Sequence, residues 1–74
     1  MVSVKVIYTS SGKPAISQKV SIGFDGFFRG FSETQYADKS GETHFNNDPG
    51  NGVIYVNGKA SFKGYIAGMK VLYI

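Results

Sequence analysis

His44 is the only histidine of the chain, and no cysteine accompanies it. Disulfides, thiolate metal sites and His-rich metal sites are therefore excluded. Catalysis by His44 would need a nucleophile or an acid arranged around it. Strand parity sets His44 opposite Thr43 and Phe45, on the outer side of its strand, where a plain exposed histidine is expected. The carboxylates are Asp25, Glu33, Asp38, Glu42 and Asp48. Paired acids do general acid–base work when held close at separated pKa values, but most of these fall in turn sequence, where Asp stabilises the local backbone. Asn46-Asn47-Asp48 with Asn51 is rich in oxygen. A calcium ion takes roughly six to eight oxygens; the spacing is not that of an EF-hand and only one carboxylate is local, so a polar loop is expected. No nucleophile–base pair, metal set or cofactor motif can be assembled from these residues, and a non-enzymatic protein without cofactor or metal is the expectation.

The segment with the most unusual chemistry is Gly23-Phe24-Asp25-Gly26-Phe27-Phe28-Arg29-Gly30-Phe31, in which four Phe alternate with three Gly and one Arg. Phe27 and Phe28 are adjacent, so in an extended chain they face opposite ways and one is exposed unless the loop folds back. Exposed rings beside an arginine are interface chemistry, giving large contact area and cation–π contacts. The alternative is a loop that plugs one end of the fold with Phe side chains; both readings stay open. Phe27, Phe28, Arg29, Phe31 and the nearby Tyr36 are the candidate binding residues, with Glu33 and Gln35 as polar neighbours. The full pattern of an RNA-stacking platform, with its basic aromatic strand and flanking helices, is absent.

The elements that must hold these residues are strands. Apolar residues alternate with a period of two, and no segment shows a helical period. Strands are expected over 2–9 (Val2, Val4, Val6 and Tyr8 on one face), 18–24 (Val20, Ile22 and Phe24 inward), 31–37, 42–45 (Thr43 and Phe45 inward), 53–56, 59–62 and 69–74. In the last, Met69, Val71 and Tyr73 are placed with Val4 and Val6, while Leu72 and Ile74 are placed with Ile7 on the other face. Asp38-Lys39-Ser40-Gly41 reads as a type I turn, Asn57-Gly58 as a tight hairpin, and Gly64 as an interruption. Seven short strands with regular turns indicate an all-β sandwich or small barrel.

With 74 residues, a single domain over 1–74 is expected, and its core is marginal: a chain this size buries only about 60% of its unfolded surface. Six Phe and five Tyr supply the large side chains such a core needs. Apolar residues on both faces of the end strands imply that part of the outer surface is covered, by a second copy in a homodimer or by a neighbouring domain. The net charge is +3 and the isoelectric point about 9.3, but the basic residues are dispersed, which disfavours nucleic-acid binding. No run approaches the roughly 20 apolar residues of a membrane span. The N-terminus lacks the charged start and apolar run of an export signal, which leaves the cytoplasm as the default location.

The order of motifs resembles the carboxypeptidase regulatory-like family, a transthyretin-like (prealbumin-like) β-sandwich. Gly12-Lys13-Pro14-Ala15-Ile16 resembles its first turn and Lys19-Val20-Ser21-Ile22 its second strand. Ala37-Asp38-Lys39-Ser40-Gly41-Glu42-Thr43-His44-Phe45 resembles its central signature, with Ala37 in place of the usual Thr and Thr43 in place of the first Phe. Pro49-Gly50 with Val53-Ile54-Tyr55-Val56, and then Gly64-Tyr65, resemble its late loop and strands. The resemblance implies a seven-stranded Greek-key sandwich of transthyretin-like or Ig-like type, and a role as an accessory, stabilising or binding module. The expected function is thus an interaction or structural module that self-associates through edge strands or the Phe-rich loop. The alternative is a carbohydrate- or peptide-binding accessory domain that uses exposed aromatics.

Overall fold

Alternation of apolar residues builds the strands, and the computed structural model describes residues 1–26 and 30–74 of them. The chain is all-β. Its strands are β1 (Val2–Ile7), β2 (Lys19–Phe24), β3 (Gly30–Phe31), β4 (Gln35–Tyr36), β5 (Glu42–Phe45), β6 (Gly50–Val56), β7 (Lys59–Ile66) and β8 (Gly68–Tyr73). They form two sheets. One has the order β5-β1-β8; the other runs β3-β2-β6-β7, with β4 also paired to β2. β1 and β8 are parallel, with Val6 beside Leu72, while the remaining ladders are antiparallel. Among the described residues no helix is long and apolar enough to cross a membrane.

The two inner faces share one apolar cluster. Val2, Val4, Val6, Phe45 and Leu72 come from the smaller sheet, and Val20, Ile22, Phe24, Ile54, Val56 and Ile66 from the larger. Each such side chain stabilises the fold by about 1.5–3 kcal/mol when fully buried. Among the described residues Thr43 is the buried polar one; its hydroxyl donates to the Val4 carbonyl at 3.1 Å, which removes the penalty for burying it.

Several strands differ from the sequence expectation. The stretch 31–37 is not one strand but two, β3 and β4. The Ser32 hydroxyl causes the break: it accepts the Ile22 N–H at 2.9 Å and donates to the Glu33 carbonyl at 2.9 Å. A side chain thereby takes a bond that the ladder would use. β1 ends at Ile7, so Tyr8 is not inward but exposed, its N–H donating to the Lys13 carbonyl at 2.9 Å. β7 runs through Gly64 rather than stopping there.

The face of β8 is the reverse of that expected. Leu72 is buried at 8% exposure, while Met69, Val71 and Tyr73 are exposed. Both faces of β8 carry apolar residues, so parity alone leaves the choice open, and the register against β1 decides it. Lys70 falls on the inner side as a result. Its ammonium escapes the core by lying 4.8 Å over the Phe62 ring at the sheet edge.

Candidate functional site

Phe31 sits beside Gly23 in the β2–β3 ladder, on the outer face of the larger sheet. Gly23 has no side chain, so the Phe31 ring lies across the strand: a Cβ at residue 23 would come 3.1 Å from Phe31 Cε1. The ring thereby reaches Tyr55 on β6, with centroids 5.8 Å apart and planes tilted by 39°. Such a pair is a favourable edge-tilted arrangement. Although supported from below, Phe31 remains 72% exposed.

Phe31 also lines a cleft of about 300 Å³, together with Ser32, Glu33, Gln35, Phe45, Asn46 and Asn47. Phe45 is buried and Gln35 pairs with the buried Val20, so both reach the cleft from the inner side, whereas the Phe31 ring lies on the outer face. The Ser32 hydroxyl is committed to the backbone. The side chains of Glu33, Gln35, Asn46 and Asn47 bond to no other described residue. Between them they offer a carboxylate, three amide donors and three amide carbonyls. The oxygen-rich loop is also shorter than expected, because Asn51 belongs to β6.

Of the candidate residues, Phe27, Phe28 and Arg29 lie outside the described residues. Tyr36 is exposed and shares the outer face of the larger sheet, paired with Lys19. It is four positions along β2 from the partner of Phe31, on the order of 13 Å at 3.3 Å per residue, and so forms no single contact with it. Tyr55, Asn46 and Asn47 are the site neighbours that sequence reasoning did not assign to Phe31. The period-two outward position of Tyr55 was the available signal.

A second grouping occupies the outer face of the smaller sheet. Ser3 and His44 are cross-strand partners, with Ser3 Oγ 2.7 Å from His44 Nδ1 and Glu42 Oε1 3.6 Å from His44 Nε2. The structure thus brings together a hydroxyl, an imidazole and a carboxylate that sequence reasoning left apart. Acyl transfer also needs donors aimed at the developing oxyanion and a walled place for the substrate. β1 is the central strand and its amides serve ladders on both sides; the trio lines neither the cleft above nor the one beside β7 and β8. The arrangement is one surface hydrogen bond, Ser3 to His44, with the Glu42 carboxylate at longer range across the same two strands.

Asp38 is structural in the same sense. Its carboxylate accepts the N–H groups of Ser40 at 2.9 Å and Glu42 at 3.0 Å. The Glu42 bond and then the Ser40 bond hold its pKa below the ordinary 3.8 against the opposing effect of desolvation, and the charges of His44 and Lys5 add smaller lowering effects. Among the described residues no group of three His, Cys, Asp or Glu is placed to hold a metal ion.

Comparisons with family models, with curated proteins and with solved structures each return no match for this chain.

Proposed function

We propose that the chain is a non-enzymatic binding module and that the Phe31 cleft recognises carbohydrate. One observation carries this reading: four polar side chains that bond to no other described residue, Glu33, Gln35, Asn46 and Asn47, line one cleft with Phe31, whose exposed ring lies against Gly23 and Tyr55. A pyranose has the matching chemistry, an apolar face of C–H bonds and a rim of hydroxyls that both donate and accept. Planar amides and a carboxylate suit that rim, and a fixed ring costs little entropy on binding. Each bond adds about 0.5–1.5 kcal/mol net. One ring and a few such bonds correspond to a dissociation constant on the order of 0.1–1 mM. The transthyretin-like, carboxypeptidase regulatory-like Greek-key topology is proposed on the motif order in the sequence, and it agrees with an accessory role.

A second reading is self-association. It is favoured by the apolar strip that Met69, Val71 and Tyr73 form along the edge strand β8, continued by the half-buried Ile7. A homodimer or a neighbouring domain would cover this strip.

A glycan array probed with the labelled chain and with Phe31→Ala tests the first reading. Wild-type signal on a defined set of glycans, lost in the folded variant, supports it; no glycan signal, or equal signal from both proteins, rejects it. Sedimentation mass across a dilution series tests the second, for which a monomer throughout is the negative result.

A further inference from the structure

Residues 50–74 contain Lys59, Lys63 and Lys70 and no Asp or Glu, so they account for the whole formal +3 of the side chains; the five basic and five acidic residues before them cancel. The dispersed lysines of the sequence are therefore unevenly matched in the fold. Strands β6, β7 and β8 lie at one side of the molecule, and β7 ends the larger sheet while β8 ends the smaller.

β7 is eight residues long and has β6 on one side only; among the described residues no ladder partner or other backbone bond occupies its outer edge. Alternate N–H and C=O groups of an edge strand point outward and can template another strand. Alongside this edge runs a cleft of about 520 Å³. Val56, Lys59, Ala60 and Ser61 form one wall, and Tyr73 and Ile74 the other. Its walls are part apolar, and among the described residues that line it Lys59 has the one charged side chain. Ser61 is the extra residue of a bulge opposite Ile54 and Tyr55. Its hydroxyl is turned back onto the Lys59 carbonyl at 3.1 Å.

We infer that the free edge of β7 and the adjoining cleft take an extended acidic peptide, added to the larger sheet as a further strand. Backbone bonds supply the docking, the cleft receives side chains from one face of the peptide, Lys63 on the outer face meets carboxylates from the other, and Lys59 adds positive charge at the cleft. Charge is also what distinguishes this partner from a second copy of the chain. Two β7 edges paired with each other would set lysine against lysine, and like charges placed opposite each other are destabilising. The same lysines that discourage pairing of copies leave the edge open to a strand of opposite sign. This site is at a different edge from the Phe31 cleft and does not rest on the carbohydrate reading.

Fluorescence anisotropy with two labelled eight-residue peptides, one alternating glutamate and valine and one alternating lysine and valine, tests the inference at low salt. The acidic peptide is expected to bind and the basic one not. Lys59→Glu with Lys63→Glu, shown to be folded by circular dichroism, is expected to weaken the acidic peptide about tenfold or more. In a strand the amides of alternate residues point to opposite sides. Methylating the valine amides, or instead the glutamate amides, should therefore abolish binding in one series and leave it in the other. Equal binding of acidic and basic peptides, tolerance of both methylated series, or no binding of the acidic peptide would overturn the inference. So would an oligothymidylate that binds more tightly than the acidic peptide, since it would assign the basic edge to single-stranded nucleic acid.

Discussion

Asp38 and Gly23 show two ways in which a single residue sets local geometry. The Asp38 turn was legible because its whole logic is local: a side-chain oxygen reaches N–H groups two and four residues on, as turn chemistry leads one to expect. Its carboxylate is held below the ordinary 3.8. The stability it contributes is therefore complete above that value and is lost as pH falls through the lower folded-state pKa. Asp38→Asn keeps an acceptor oxygen but cannot ionise. The melting temperature of wild type is expected to exceed that of the variant near neutral pH, and the gap to close in strong acid; a gap that stays constant with pH would refute this assignment. Gly23 was not legible in the same way. The ring that covers it, Phe31, comes from another strand and is held by Tyr55 of a third, and nothing local requires a glycine there. With a Cβ only 3.1 Å from the Phe31 ring, Gly23→Ala is expected to push the ring off Tyr55. Proton NOEs between the Phe31 and Tyr55 rings should weaken, while stability changes by only about 1 kcal/mol, because alanine suits a strand better than glycine. Unchanged NOEs would mean that the missing side chain is not what lays the ring down.

Alternation assigned the inner face of β1, β2 and β5 correctly and that of β8 in reverse. β1, β2 and β5 bury Val2, Val4, Val6, Val20, Ile22, Phe24 and Phe45 as their parity indicates. β8 does not, since Val71 and Tyr73 are as apolar as Leu72 and only its register with β1 separates them. The division of 31–37 into β3 and β4 depends on a hydroxyl reaching back to Ile22, a contact that hydrophobic periodicity does not record. The β6–β7 hairpin was the clearest signal, and it is realised with positive φ at both Asn57 (53°) and Gly58 (81°), as a type I′ turn requires. Asn57 adds a tertiary role: its Oδ1 accepts the Lys19 N–H at 3.1 Å and its Nδ2 donates to Gln18 Oε1 at 2.6 Å. The hairpin is thereby tied to the start of β2. Gly58→Ala forces a Cβ into left-handed backbone and is expected to cost about 1–2 kcal/mol, a fall of several degrees or more in melting temperature for a domain of this size. A calorimetric scan checks it, and an unchanged midpoint would contradict the turn assignment.

Two sheets enclosing one small apolar cluster leave the chain with little stability in reserve; at 0.05–0.15 kcal/mol per residue, the total for this length is about 4–11 kcal/mol. Side chains that do not serve the core are correspondingly informative. The polar cleft beside Phe31 at one edge and the basic β7 edge with its own cleft account for many of them. Composition announced an aromatic-rich all-β protein, and it pointed to Phe31 within its segment. It could not show that Glu33, Gln35, Asn46 and Asn47 converge on one cleft with Phe31, because the convergence arises when β3, the loop after it, β4 and the loop after β5 meet in space. The central claim is that this convergence is a carbohydrate site. Its most direct test is a series of ¹⁵N–¹H correlation spectra of the chain titrated with the glycans that give array signal, or with a panel of common mono- and disaccharides. Saturable shifts confined to Gly23, Phe31, Glu33, Gln35, Asn46 and Asn47, absent in a well-dispersed Phe31→Ala spectrum, are the predicted result. Shifts confined to β7 and β8, or no shifts with any sugar, would contradict it.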